Sequence, residues 1–329
     1  MQKATDSIIN CERDEKQMDN KYAPIVLFAY NRLSHLKETI ECLKANDLAS
    51  ESDLIVVSDG YKNDDGILKV NEVRDYLKTI NGFAKVRIIE RKKNYGLGKN
   101  IICAINSLFK KYDSIIVLED DIVTSDKFLL YMNSALKGYR DDKTVMAVSG
   151  YTAPFDKNGV EDYFFLPWFD PCGAWATWKD RWQKYERNSY NLLCTADKKM
   201  IYAININGTS PDMWDQVINN YLGRIRTWAI FYSVMVCKER GMVLYSQKSL
   251  CNNIGFDGSG DNCGISNTYD AIIQDGVFDE SKFPRECRYS TQAIKNYVIF
   301  NRNRFKGKEY IAYLILKLKT GLFYLVYHR

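Results

Sequence analysis

Three acidic residues stand in a row in this chain, Glu119, Asp120 and Asp121, directly after the apolar run 114–118 (SIIVL). Adjacent carboxylates repel one another, so such a triplet is a solvated turn, a helix N-cap region or a place where a cation offsets the charge. Hard divalent cations such as Mg2+ and Mn2+ take carboxylate oxygens together with phosphate oxygens. Two other apolar runs end in polar groups in the same way. Asn31 and Arg32 follow residues 24–29 (PIVLFA), and Asp59 follows 54–57 (LIVV). Arg32 is either a surface cation or a planar fork for a phosphate. Asp59 either caps the next turn or binds a base or ribose. The stretch 94–100 (NYGLGKN) opens a helical pattern. Its glycines allow close backbone approach, and a helix N-terminus favours anions. It has neither the Walker pattern nor the six-residue dinucleotide glycine pattern.

The elements that must position these groups follow from periodicity. Strands are predicted at 24–29, 54–57, 86–89, 114–118 and 145–148. Helical spacing lies between them: Leu33, Leu36, Ile40 and Leu43; Val70, Val73, Leu77 and Ile80; 97–109; and 128–139. Short strands separated by helices of 10–15 residues predict an α/β fold with a mainly parallel twisted sheet flanked by helices. Ligands of such sheets bind beyond the carboxyl ends of the strands, where these polar residues fall. Residues 151–180 are aromatic and irregular, and 255–264 are glycine-rich. The organisation predicted is a flexible tail at 1–21, a nucleotide-binding half at 22–150, an acceptor-binding half of the same domain at 151–285, and a basic amphipathic segment at 286–329.

Composition removes several classes. The chain has 329 residues, with two His (His35 and His328). That argues against a zinc site built on several His and against a Ser-His-Asp triad, and leaves acid–base work to carboxylates. Nine scattered Cys without a C-x-x-C pair read as a reduced, cytoplasmic chain. Of the net charge of +5, residues 295–329 hold +7 and the remainder −2. Basicity confined to one end argues against nucleic acid as a partner. No apolar run reaches about 20 residues, and the first 21 residues lack a signal-peptide core. Residues 310–327 are apolar but broken by Lys317, Lys319 and Gly321. They read as an amphipathic helix on the inner membrane face, its Lys reaching for anionic headgroups, or as a helix packed on the main domain.

The ordered set Ala29-Tyr30-Asn31-Arg32, Val57-Ser58-Asp59-Gly60, Asn94-Tyr95-Gly96-Leu97-Gly98, Leu118-Glu119-Asp120-Asp121 and Cys172-Gly173-Ala174-Trp175 resembles GT-A fold nucleotide-sugar glycosyltransferases. Over roughly residues 22–264 it is most similar to bacterial surface-polysaccharide transferases, and distantly to the N-acetylglucosaminyltransferase that initiates complex N-glycans. The resemblance implies a Mn2+- or Mg2+-dependent hexosyl or N-acetylhexosaminyl transfer, inverting at the anomeric carbon. The donor would be a nucleotide sugar, UDP-linked by expectation, and the acceptor a glycan or lipid-linked glycan. It implies that Ala29 and Arg32 contact the nucleotide and diphosphate, that Asp59 holds the base, and that Gly96, Lys99 and Asn100 line the nucleotide site. Glu119 falls in the same donor-binding set. Asp120 would meet the ribose or sugar, and Asp121 the metal. Gly173, Ala174 and Trp175 would shape the donor-sugar and acceptor side.

The chain departs from that pattern in two places. Relatives carry an Asp beside a Trp as the general base, whereas residues 225–230 (IRTWAI) contain no acid; Asp215, after Trp214, is the substitute expected. Relatives also tend to have a His in the glycine-rich segment, where this chain has Asp261-Asn262. Two other functions compete with transfer: a non-catalytic sugar-nucleotide-binding partner, and a sugar nucleotidyltransferase. The latter usually carries a glycine-rich loop after its first strand, and 30–33 (YNRL) has no Gly.

Overall fold

The computed structural model describes residues 21–170, 173–260, 268–271, 273, 278–306 and 309–328. The first half alternates as its periodicity predicts: β1 (Ile25–Ala29), α1 (Leu33–Lys44), β2 (Asp53–Ser58), α2 (Ile67–Leu77), β3 (Lys85–Glu90), α3 (Leu97–Leu108), β4 (Ser114–Glu119), β5 (Ile122–Thr124), α4 (Phe128–Gly138) and β6 (Val145–Ser149). The second half adds β7 (Tyr163–Leu166), β8 (Trp175–Trp178), α5 (Lys179–Trp182), α6 (Ser189–Thr195), α7 (Lys198–Ile204), α8 (Pro211–Tyr221), α9 (Ala229–Lys238), β9 (Met242–Ser246), β10 (Cys251–Asn253), α10 (Thr291–Arg304) and α11 (Glu309–Tyr327).

An eight-stranded sheet runs in the order β3-β2-β1-β4-β8-β6-β9-β7. The β3-β2-β1-β4 portion is parallel, in register from Ile25 opposite Leu54 and Ile116. Its central strands are apolar on both faces because helices cover both, which is why they read as unbroken apolar runs. β1 is buried along its whole length. Helix α1 buries Leu36, Ile40 and Leu43, and α3 buries Ile101, Ala104, Ile105 and Leu108. Each of the larger aliphatic side chains removed from water contributes about 1.5–3 kcal/mol.

The aromatic stretch 151–180, irregular by pattern, holds two strands. β8 (WATW) enters the middle of the sheet, antiparallel to both β4 and β6. The sheet is therefore continuous across residue 150. Arg181 fixes this junction: fully buried, it donates to the carbonyls of Tyr139, Arg140, Asp142 and Val145. A small second sheet, β5 with β10, lies beside the acidic triplet.

A separate apolar cluster is built by α6 to α9, around Leu193, Trp214, Val217, Ile218, Ile230 and Phe231. Phe323, Tyr324 and Tyr327 of α11 pack against it. The C-terminal segment is thus docked on the body by one helix face. Lys319, expected to reach for headgroups, instead pairs with Asp215 at 2.5 Å and donates to Asn219.

Candidate active site

The end of β4 turns sharply through Asp120 and Asp121 into β5, and both side chains are buried (4% exposed). Their placement is held by three main-chain links. The Tyr30 amide donates to Asp120 Oδ2 (3.0 Å), the Thr39 hydroxyl donates to the Asp120 carbonyl (3.0 Å), and the Ile254 amide donates to the Asp121 carbonyl (2.9 Å). Arg32, at the N-cap of α1, puts one guanidinium nitrogen between the two carboxylates, 2.6 Å from Asp120 Oδ1 and 2.7 Å from Asp121 Oδ2. Burial disfavours the Arg32 charge, but Asp120 and Asp121 more than offset it and hold the guanidinium charged.

The electrostatics are crowded on the acidic side. Desolvation, followed by the charges of Asp121 and Asp120, pushes the half-buried Glu119 carboxyl up to about 8, with Arg32 opposing. Desolvation also raises Asp120, against the pull of Arg32. One atom is left over: Asp121 Oδ1 is buried and has no hydrogen-bond partner. An unpaired buried carboxylate oxygen is costly, and a cation is the partner that would satisfy it. Among the described residues no three His, Cys, Asp or Glu converge into a protein-only cage. The donor set therefore suits a hard divalent ion held by one carboxylate, with phosphate oxygens and water completing its shell.

A second cluster is laced to the first through the sheet. The Asp59 amide donates to the Ala29 carbonyl (2.9 Å). The buried Asp59 carboxylate accepts three amides, those of Gly60, Tyr95 and Gly96, each at 2.9 Å. Asp59 thus pins the 94–96 loop to the end of β2, an employment its position in sequence does not reveal. Gly60 permits this approach, since a Cβ there would lie 2.4 Å from the Lys93 carbonyl carbon. Gly96 caps α3 with φ +70°, a left-handed conformation that side chains disfavour. Lys99 stands over the Tyr95 ring at 4.8 Å, and Arg91 lies over the same ring at 4.9 Å. Asn100 is buried and accepts from Arg91 Nε (2.9 Å); its side chain supports the loop.

Two of the expected site residues, Trp175 and Asp215, are engaged by other side chains. Trp175 is 1% exposed and lies within an aromatic stack with Trp228 (5.2 Å) and Trp182 (6.1 Å). It is preceded in the chain by Ala174, also buried, and Gly173. The latter lies against Ile122, just after the acidic turn. Asp215, the expected base, is tied to Lys319 and accepts from Asn219 (2.6 Å) on a helix that packs against α6, α7, α9 and α11. That ion pair engages the carboxylate the sequence offered as the base. Residues 226 and 227 do approach the start of α3: a Cβ on Gly98 would lie 2.5 Å from the Arg226 carbonyl oxygen. Asp261-Asn262 lies outside the described residues.

Sequence reasoning missed Gly255. A Cβ there would lie 2.1 Å from Asp121 Oδ2 and 2.9 Å from the Arg32 guanidinium, so the loop after β10 roofs the carboxylate pair only because this residue is glycine. The loop is tethered by Asp257, 3.1 Å from His35 Nε2. The Ser259 hydroxyl and amide, with His35, hold Asp257 down to about 2. The glycine-rich composition marked the loop but not its target. Gly255→Ala is expected to cost about 1–3 kcal/mol by overpacking and to weaken binding of a divalent cation about tenfold. Thermal unfolding and calorimetry read both; unchanged values would mean that the loop yields freely. A surface groove lined by Tyr163, Phe165, Lys282, Arg285 and Tyr289 lies at the β7 edge and includes none of these residues.

A mostly parallel sheet flanked by helices, with an Arg-bridged carboxylate pair and a pinned glycine loop at its strand ends, is consistent with the GT-A type. The model for the family "Glycosyl transferase family 2" matches residues 25–193, just over half of the 329, and the chain belongs to that family. No curated protein matches the chain. Similar solved structures include the mannosyltransferase PcManGT from Pyrobaculum calidifontis, in complex with GDP-Man and Mn2+ (13% identity, 67% of this chain and 70% of that one, TM-score 0.38). TarS of S. aureus is similar at 11% identity over 62% of this chain and 43% of that one, TM-score 0.36. Glucosyl-3-phosphoglycerate synthase from Mycobacterium tuberculosis, with Mn2+, UDP-glucose and phosphoglyceric acid, is similar at 12% identity over 48% and 57%, TM-score 0.30.

Proposed function

We propose that this glycosyltransferase moves a hexosyl or N-acetylhexosaminyl group from a UDP-linked donor to a glycan or lipid-linked acceptor in bacterial surface-polysaccharide synthesis. The reaction would invert the anomeric carbon and depend on Mn2+ or Mg2+. The observation that carries the reading is the buried Asp120–Arg32–Asp121 arrangement with Asp121 Oδ1 unpartnered.

Asp121 would hold the divalent ion through that oxygen. When bound, the ion supplies charge neutralisation for the departing diphosphate. Arg32 is already fixed between the carboxylates, and its remaining N–H groups add a planar donor set for phosphate oxygens. The first turn of α3 offers amides without helical partners, and Lys99 adds a cation there. Asp59 keeps the 94–96 loop in the shape the base and ribose meet. Asp120 orients Arg32 and stands with Glu119 on the ribose and sugar side. Gly173 and Ala174 border the sugar, backed by Trp175. Residues 22–150 would thus carry donor binding, and 151–285 the acceptor.

The test is a thermal-shift screen of nucleotide sugars with and without Mn2+, because a ligand that binds only the folded state raises its melting point. A Mn2+-dependent rise with one donor, followed by transfer or hydrolysis of that donor, is expected. No rise with any nucleoside diphosphate or nucleotide sugar would overturn the reading.

A further inference from the structure

Helix α11 has two faces with different employment. Tyr313, Phe323, Tyr324 and Tyr327 turn inward: the last three pack on the second apolar cluster, and the Tyr313 hydroxyl donates to the Gly208 carbonyl. The opposite face is aliphatic from end to end. Ile311, Leu314, Ile315 and Leu318 in its first half, with Leu322, Leu325 and Val326 in its second, recur at i, i+3, i+4, i+7, i+11, i+14 and i+15. At 100° per residue that is a single stripe. Each of the seven is between 43% and 68% exposed, and none has a polar neighbour within the stripe. A soluble surface rarely leaves so continuous an apolar strip uncovered.

We propose that this stripe docks the enzyme on the surface of an anionic lipid bilayer, with α11 lying in the plane of the headgroups. Three observations select that occupant. First, the rim is basic. Lys317 is exposed on the flank of the stripe, and Lys198 lies over the Tyr324 ring at 5.3 Å with Lys199 exposed beside it. Arg224 is exposed just beyond Leu222, and Arg302 and Lys306 precede the helix. Glu309 in the first turn of α11 and Asp197 beside Lys198 are exposed acids, while Asp215 and Asp212 are paired with Lys319 and Arg304, so exposed cations outnumber exposed acids here. Second, tyrosines border the stripe at both ends. Exposed Tyr310 stands at the start, and exposed Tyr190 and Tyr221, which pack on the inward Tyr327, stand at the finish. Tyrosine favours the depth where lipid meets water. Third, the stripe holds only Ile, Leu and Val, whereas the centres of protein–protein interfaces favour aromatic residues, Met and Arg.

By length and composition α11 is also able to cross a membrane, and among the described residues it is the one helix that is. Crossing would strip Lys319 from Asp215 and expose the inner aromatic face. Lying flat keeps both contacts and buries the outer stripe along about 28 Å of helix. The surface is separate from the carboxylate site, so its test does not depend on donor chemistry.

The experiment is co-sedimentation of the full chain with vesicles of phosphatidylcholine alone and with about a third phosphatidylglycerol. The wild type should sediment with the anionic vesicles and be released as salt rises. The double variant Leu318→Glu, Leu322→Glu should lose binding by about tenfold or more per leucine, with its melting point and Mn2+–UDP affinity unchanged, since both side chains are exposed. Lys317→Glu should weaken binding and flatten the salt dependence. Failure of the wild type to sediment with anionic vesicles, or equal sedimentation of the double variant, overturns the proposal. So does a dimer in analytical ultracentrifugation that the double variant dissociates, because the stripe would then belong to a second copy.

Discussion

Asp121→Asn is expected to lower metal-dependent UDP affinity by about 100-fold or more and to abolish transfer, while the fold survives. The substitution keeps the shape of the side chain and an oxygen that can still accept from Arg32. It removes the charge a divalent ion needs, because such ions bind carboxylate oxygens far better than neutral amides. Stability should hold or rise. The acidic side is overcrowded, as the Glu119 carboxyl shows: it is pushed up to about 8 by desolvation and by Asp121 and Asp120. Neutralising one member relieves that repulsion, and Asp120 still pairs with Arg32. Calorimetry with Mn2+ and UDP reads the affinity. An unchanged dissociation constant would remove Asp121 from the metal site and, with it, the main support for the proposed mechanism.

Arg32→Ala should be the more destructive change for the fold. It leaves two buried carboxylates facing each other without their cation, and breaking a buried pair by removing one partner costs about 3–5 kcal/mol. Denaturant unfolding should show that loss at neutral pH, and donor affinity should fall with it. Added Mn2+ should return more stability to the variant than to the wild type, since in the variant a divalent ion would be the sole cation between Asp120 and Asp121. Arg32→Lys should fall between the two: a point charge remains, but the fork spanning both carboxylates is lost. A variant within about 1 kcal/mol of the wild type, unmoved by Mn2+, would show that the pair is solvated and the site open.

Much of the structure of residues 22–150 was legible in the residues. β1, β2, β3, β4 and β6 were visible as apolar runs, and the helices between them as spaced Leu, Ile and Val, because both signals are local. The strand-end charges were visible for the same reason. A parallel α/β sheet puts its chemistry at the carboxyl ends, so locating the strands located Arg32, Asp59 and the acidic triplet. The ordered motifs then fitted the family whose model covers 25–193. β8 was not legible. Four residues, WATW, give no period, and their place between β4 and β6 depends on pairings with strands roughly 30 and 60 residues away.

The amino-acid order by itself determined the layered α/β architecture, the donor-side groups and the two-faced C-terminal helix, because each rests on spacing within a dozen residues. Only the tertiary structure decided how those groups are employed. It set Arg32 between Asp120 and Asp121, gave Asp59 three amides to hold, and brought Gly255 over the carboxylates. It also brought Lys319 to Asp215. The physical reason is that a side chain's role is fixed by which charge or amide reaches it across the fold. Those partners come from elements dozens to more than a hundred residues apart, a separation over which local propensity carries no information.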